Sequence, residues 1–282
     1  MSETAHTEWS GKTDGTPFLQ RALVRIFRYC PREIPYAVMA LVVPFYMLFN
    51  RKGYRAIYRF FHLRMGYAPI RSFLSVYANH FRFGQVVLDR FAAFAGKKFH
   101  FDVDNQELFD QLAAGEKGFV QLSSHVGCYE LAGYHLTSST KQLNALVFAG
   151  ETATVMQNRQ RILAQHNMRM VPVASDMSHL FILNQALDEG QIVSMPADRL
   201  WGSNKRVRTT FFGAEASFPR GAFALAKAKE VPLLAVFVMK ESARRYHIFV
   251  HHVANVEDYA AVLEQTLRRY PTQWFNYYDF WQ

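Results

Sequence analysis

A histidine and a glutamate lie five residues apart in the stretch VQLSSHVGCYELAGYH, residues 120–135. Residues five apart on one regular helix point about 140° apart around its axis, so His125 and Glu130 meet only if the histidine precedes the helix. The sequence predicts that arrangement, because His125 follows a strand-like run and a helical pattern starts after Gly127. Glu130 would then orient one ring nitrogen and leave the other as a general base, with a hydrogen-bonded structural histidine as the alternative.

The elements that would position this pair alternate along the second part of the chain. Short apolar runs of strand length occur at residues 119–123, 144–149, 168–173, 191–197, 208–213, 232–239 and 246–253. Helical patterns lie between them, at residues 129–136, 154–166, 178–188, 221–229 and 256–270. The alternation predicts an α/β fold with a largely parallel sheet flanked by helices. Parallel sheets bind ligands at the carboxyl ends of their strands, and His125 follows such an end.

The first part of the chain is helical in pattern and rich in Phe, Tyr and Arg. We expect a polar, disordered tail at residues 1–17 with no export signal, a helical membrane-associated region at 18–96, and the α/β domain at 97–282. The most apolar run, residues 34–49, is shorter than the ~20 residues that cross a membrane, and basic residues flank both ends. These features predict a monotopic anchor, and a buried core helix and a short tilted span are the alternatives.

The overall charge points to an anionic partner. The 282 residues include 32 Lys and Arg against 23 Asp and Glu, which gives a net charge of +9. Membrane headgroups, nucleic acid and an acidic carrier protein all fit this charge. Nucleic acid is disfavoured, because the sequence has no zinc-ligand spacing, no RNP-like strand and no densely basic recognition helix.

The order of motifs from about Gly53 to the carboxyl end resembles that of the late lipid A acyltransferases, the lauroyl/myristoyl transferases of the lysophospholipid acyltransferase superfamily. The H-x4-E pair resembles the H-x4-D/E motif of membrane glycerolipid acyltransferases. Downstream come Arg159 and Arg161 in MQNRQRILA, Asp198 and Arg199 in MPADRLWG, and the blocks TTFFG, FPRG and YPTQWFNYYDFW. The chain departs from the family by having Ser124 before the histidine, where Asn is frequent.

The resemblance implies an enzyme that transfers an acyl chain from a thioester to a hydroxyl, without a metal or another cofactor. In this interpretation His125 takes the hydroxyl proton and Glu130 stabilises the imidazolium. The substrate-binding residues implied are Arg159, Asp198, Arg199, Arg220 and Gly221. The donor would be a thioester of acyl carrier protein or coenzyme A, and the acceptor a lipid A precursor or another anionic lipid, such as an aminolipid or lysophospholipid. The enzyme would act at the cytoplasmic face of the inner membrane.

Two rival functions belong to other classes. Cys128 lies three residues after His125, which raises the possibility of a cysteine-nucleophile thioesterase with a histidine base. A small buried residue is the ordinary role for a cysteine followed by an apolar helix. The other rival is a non-catalytic membrane-surface adaptor, which would not need polar residues at successive strand ends.

Overall fold

The computed structural model describes residues 17–147, 160, 163–200 and 205–281. Its first part consists of helices. These are α1 (Pro17–Tyr29), α2 (Glu33–Phe49), α3 (Arg51–Arg59), a π-helical segment (Phe60–Arg64) and the long α4 (Pro69–Phe94). The helical prediction for this region is confirmed by these bounds. The predicted tail at residues 1–17 and the predicted helix at residues 154–166 lie mostly outside the described residues.

The second part alternates strands and helices, as the apolar runs predict. Its elements are β1 (His100–Asp104), α5 (Gln106–Ala114), β2 (Phe119–Ser123), a 3₁₀ segment (Tyr129–Tyr134), β3 (Leu143–Val147), β4 (Met168–Pro172), α6 (Ser178–Asp188), β5 (Ile192–Pro196), β6 (Arg206–Phe211), β7 (Ala214–Pro219), α7 (Gly221–Lys229), β8 (Leu233–Lys240), β9 (Arg245–Val253), α8 (Val256–Arg269) and a short 3₁₀ turn (Pro271–Gln273).

Seven of the strands form one mixed, mostly parallel sheet in the order β1-β9-β8-β2-β5-β3-β4. Strands β8, β2, β5, β3 and β4 run in one direction, and β9 is antiparallel to β8. Every residue of β8 and the first four residues of both β2 and β5 are buried, which explains why these strands are mostly apolar and do not alternate with polar residues. The α/β fold class is therefore confirmed.

The structure departs from the predicted elements at two places. Strand β6 pairs with β7 in a separate antiparallel hairpin and takes no part in the main sheet. The first helix after β2 is 3₁₀ and not α. Its segment starts directly beyond Gly127 and Cys128, whose backbone bonds to neighbouring segments fix the entry to the helix.

A buried polar cluster ties the amino-terminal helices to the sheet. The carboxylate of Asp89 on α4 accepts hydrogen bonds from Lys240 at the end of β8 and from the hydroxyls of Tyr36 and Tyr246. The Asp89 and Lys240 side chains are both fully buried. Removing one partner of such a pair would leave a buried charge, so this cluster fixes how α4 sits on β8.

Helices α2 and α3 meet at a bend of 96°. Asn50 lies at this break, and its side chain accepts a hydrogen bond from the backbone N–H of Gly53 that caps α3. In the part of the chain that the structure describes, no single helix is long and apolar enough to cross a membrane; by length and composition the bent pair Glu33–Phe49 with Arg51–Arg64 passes that test.

Candidate active site

The centre of the site lies where two neighbouring parallel strands end. Ser123 of β2 is paired with Pro196 of β5, and the backbone N–H of Ala197 donates to the carbonyl of Ser123 at 2.9 Å. His125 and Asp198 each lie two residues beyond this last pair. The strand register therefore brings their side chains together at the carboxyl end of the sheet, where open α/β sheets bind their ligands.

The Asp198 carboxylate receives two hydrogen bonds from His125. Its Oδ1 atom lies 2.9 Å from Nδ1 of the imidazole, and its Oδ2 atom accepts from the backbone N–H of His125 at 2.8 Å. The Asp198 side chain is 1% exposed, whereas the His125 side chain is 25% exposed. The carboxylate is thus enclosed and the imidazole reaches towards solvent.

Electrostatics assigns a protonation state to each partner. Burial opposes ionisation of Asp198, but His125 and Arg199 outweigh it and lower the pKa of this carboxyl group. Burial lowers the pKa of His125 as well, with Arg199 acting in the same direction and Asp198 in the opposite one. At neutral pH a neutral imidazole therefore donates from Nδ1 to an ionised Asp198, and Nε2 carries the lone pair.

The backbone around His125 is held by the carboxyl-terminal segment and by β8. The N–H of Phe275 donates to the carbonyl of His125 at 2.9 Å, and the N–H of Gly127 donates to Gln273. Cys128 donates its N–H to the carbonyl of Val238 at 2.8 Å. Gly127 has φ +57°, and a Cβ atom there would lie 2.0 Å from the Val238 oxygen. Only glycine fits this turn as it stands.

The structure places Glu130 in an ion pair with Arg90 of α4, at 2.8 Å between Oε2 and Nε. The sequence predicts that Glu130 orients the ring of His125. In the structure, the oxygen that accepts the hydrogen bond from Nδ1 belongs to Asp198. Asp198 reaches the histidine because β2 and β5 are paired in register, whereas Glu130 lies in the 3₁₀ segment that follows β2. A direct role of Glu130 in the reaction stays a prediction.

Arg199 lies beside the pair and contacts the carboxyl-terminal segment. Its Nη2 atom donates to the carbonyl of Phe275 at 2.5 Å, and its guanidinium lies 5.8 Å from the ring centroid of Tyr278. The backbone N–H of Phe275 also donates to the carbonyl of His125, so Arg199 is connected to the backbone of His125 through Phe275. A substrate contact of Arg199 stays a prediction.

Of the other predicted substrate-binding residues, the structure describes Arg220 and Gly221. Gly221 is the first residue of α7 and Arg220 precedes it, and both are exposed. A Cβ atom on Gly221 would lie 3.8 Å from Cε of Met195, close to the carboxyl end of β5. Arg159 and Arg161 lie outside the described residues.

Sequence reasoning misses two partners at this site. Arg90 lies 40 positions before Glu130, inside a 26-residue helix, and no local pattern marks it. Phe275 contacts His125 through backbone atoms, which a sequence motif does not show.

Cys128 is 2% exposed, and burial raises the pKa of its thiol far above the usual range.

Comparison with protein families shows which family the chain is similar to. The model of the bacterial lipid A biosynthesis acyltransferases matches residues 91–281, which include β2, β5 and the His125–Asp198 pair. A search of curated proteins finds no significant match. The matched region covers about two thirds of the sequence and contains the whole sheet. The chain therefore belongs to the bacterial lipid A biosynthesis acyltransferases.

Proposed function

We propose that this protein transfers a fatty acyl chain from the thioester of acyl carrier protein to a hydroxyl group of a lipid A precursor at a membrane surface. The observation that carries the proposal is the contact between Nδ1 of His125 and the buried carboxylate of Asp198. A neutral imidazole in that contact is a general base, and the family supplies the reaction class.

The reaction needs a single direct transfer. Nε2 of His125 takes the proton of the acceptor hydroxyl while its oxygen attacks the thioester carbonyl. The carbon–sulfur bond then breaks, and the imidazolium returns the proton to the leaving thiolate. The products are an ester and a free thiol. Asp198 stabilises the imidazolium between the two proton transfers, because its carboxylate is ionised and 2.9 Å from Nδ1.

A nucleophilic Cys128 does not fit these surroundings. A thiol attacks as its thiolate, and a cysteine whose pKa is raised by burial stays protonated at neutral pH. The side chain of Cys128 also belongs to the apolar core beside Leu131 and Val238. We therefore assign Cys128 a packing role.

The reaction can be tested with purified protein and a radiolabelled acyl chain on acyl carrier protein or on coenzyme A. The acceptors are a tetra-acylated lipid A precursor, a lysophospholipid and an aminolipid. We expect transfer from acyl carrier protein to the lipid A precursor, and its loss in His125→Ala. The matched control is His252→Ala, an exposed histidine of β9.

Each part of the proposal can fail separately in this assay. Transfer to the lysophospholipid or aminolipid alone would contradict the acceptor, and equal use of coenzyme A would contradict the donor. Equal rates for His125→Ala and the wild type would contradict His125 as the base.

We further propose that α2 lies in the membrane interface as a peripheral anchor. One set of its apolar side chains is exposed: Ile34, Val38, Leu41, Val42, Phe45, Tyr46, Leu48 and Phe49. Arg51, Lys52 and Arg55 follow on α3 and are exposed as well. Apolar side chains that enter the acyl boundary, beside cations that meet headgroups, are typical of interfacial helices.

Vesicles that contain anionic lipid test this anchor by flotation. The double variant Phe45→Glu/Phe49→Glu should leave the vesicle fraction, because two carboxylates would enter the apolar layer. The control Phe181→Glu alters an exposed phenylalanine of α6 and should stay bound. Equal release by both variants would contradict the assignment to α2.

A further inference from the structure

A buried tyrosine, Tyr259, contacts Ser124, the residue that precedes His125. The hydroxyl oxygen of Tyr259, on α8, is 2.6 Å from Oγ of Ser124. Tyr259 is completely buried and Ser124 is 2% exposed. The two residues are 135 positions apart in the sequence, so this hydrogen bond joins the last long helix to the turn that carries His125.

The surroundings of this hydrogen bond are apolar and aromatic. The ring of Tyr259 contacts Phe218 edge-on at 5.9 Å between centroids, and it also contacts Phe223 and Phe237. Burial raises the pKa of Tyr259 well above its ordinary value, and the charge of Asp198 raises it further. The hydroxyl therefore stays protonated. Because both residues are buried, each hydroxyl needs a hydrogen-bond partner inside the protein, and here each is the partner of the other.

The peptide between Ser124 and His125 is consequently fixed from more than one direction. Its N–H donates to Asp198, and the next carbonyl, that of His125, accepts from Phe275. The side chain of Ser124 adds the bond to Tyr259 on the core side. Small shifts of this peptide would move Nδ1 of His125 relative to Asp198, because the ring and the backbone N–H contact the same carboxylate.

We propose that Tyr259 is a positioning residue, which holds Ser124 and through it keeps His125 against Asp198. The role of this contact in the reaction depends on the proposed function of His125 as the base. Positioning residues raise the rate by keeping the reacting groups aligned, so their loss lowers kcat more than it raises KM.

The test compares Tyr259→Phe, Ser124→Ala and the double variant in the acyl-transfer assay. Each single variant should lower kcat about tenfold with KM nearly unchanged, because a small misplacement of a base is costly. The double variant should be no slower than the slower single variant, since both changes remove one hydrogen bond. Tyr246→Phe is the matched control, because it removes another buried tyrosine hydroxyl that bonds a side chain away from His125.

A second readout requires no acyl transfer. Diethyl pyrocarbonate modifies neutral imidazole, so the pH dependence of modification at His125, followed by mass spectrometry of its peptide, gives the pKa of this residue. Among the residues that the structure describes, the charged groups that act on the ring are Asp198 and Arg199. A looser contact with Asp198 weakens the interaction that raises the pKa, so the midpoint should move to lower pH in Tyr259→Phe.

The two readouts separate the possible outcomes. A midpoint that is lowered in Tyr259→Phe but not in Tyr246→Phe supports the positioning role, even if the wild type transfers no acyl chain and the proposed function fails. An unchanged or raised midpoint overturns it, and so does a loss of kcat that Tyr246→Phe reproduces in full.

Discussion

The carboxylate of Asp198 binds His125 twice, through the ring nitrogen Nδ1 and through the backbone N–H. One contact orients the imidazole and the other fixes the peptide from which it extends. Because Asp198 is 1% exposed and its pKa is lowered, the charge that faces the ring persists across the neutral range. This double contact makes Asp198 the residue on which the activity of His125 should depend most.

Replacing Asp198 by Asn should lower kcat/KM by about 10²–10⁴-fold, the usual contribution of a positioned general base. The amide keeps the shape of the carboxylate but cannot stabilise the imidazolium. Removing the negative charge should also lower the pKa of His125 further, because Asp198 is the group that raises it. The acid limb of the pH–rate profile should thus move to lower pH while the rate falls.

The control for this variant is Asp188→Asn. Asp188 is an exposed carboxylate at the end of α6 that pairs with Lys229, and an exposed ion pair contributes little to stability. Its rate should stay at the wild-type level. An Asp198→Asn enzyme with wild-type kcat/KM would contradict the assignment of Asp198 as the partner of the base.

The wild-type enzyme should keep its activity into mildly acidic solution. The sign follows from the direction of the shift: a lowered pKa means that His125 is protonated only at a pH below the ordinary histidine value of about 6.5. We expect kcat/KM to fall with decreasing pH, with a midpoint below that value.

Phosphate groups of the acceptor also titrate in this range, so the profile must be measured with two acceptors that differ in phosphorylation. A midpoint that belongs to the enzyme is the same for both. A midpoint above the ordinary histidine value would show that Asp198 outweighs burial and would contradict the lowered pKa.

The roles of the two acids at the site can be separated with Glu130→Gln. Glu130 pairs with Arg90, and both side chains are largely buried, so losing the charge should lower the free energy of unfolding by about 1–3 kcal/mol. We expect kcat to fall less than in Asp198→Asn. Adding Arg90→Met to Glu130→Gln should restore part of the stability, since it removes the opposite charge.

Thermal unfolding and acyl-transfer rates measured on the same samples decide this point. If Glu130→Gln loses as much kcat as Asp198→Asn while its stability is unchanged, Glu130 acts in the reaction itself, as the H-x4-E spacing predicts.

The limits of sequence reasoning are visible in the same pair of acids. The apolar runs predict β2 and β5 to within one residue at each end, and His125 and Asp198 each lie two residues beyond the observed strand. That β2 and β5 are neighbours depends on the strand order, and the two are separated in the chain by β3 and β4. Local spacing therefore favours Glu130, which is near His125 in the sequence, over Asp198, which is near it in space.

The elements that the sequence pattern misses share a weak hydrophobic signal. Strand β1 (HFDVD) lies at the edge of the sheet, where alternate residues are exposed and two are aspartates. Strand β7 (AEASFP) contains small residues and pairs only within the hairpin. Strand β1 is stabilised by pairing with β9, which is distant in the sequence, and β7 by pairing with β6; a local hydrophobic pattern records neither contact.

The turn after His125 can be tested by replacing Gly127, and a second glycine with positive φ, Gly213, provides the control. Gly127→Ala places a Cβ atom 2.0 Å from the carbonyl oxygen of Val238, in a residue whose φ is +57°. The turn must move, and the hydrogen bonds from Gly127 to Gln273 and from Cys128 to Val238 must lengthen. Gly213→Ala, at φ +71°, meets no atom within 4 Å and so has only the backbone strain, about 1–2 kcal/mol.

Gly127→Ala should lower the free energy of unfolding by ~1–3 kcal/mol more than Gly213→Ala does, because this amount is typical of steric overpacking. It should also lose acyl transfer, because the turn carries His125. Chemical denaturation gives the stability of both variants, and assays at a temperature where both remain folded give their rates. If both variants lose equal stability and Gly127→Ala keeps its rate, the close approach to Val238 does not control the placement of His125.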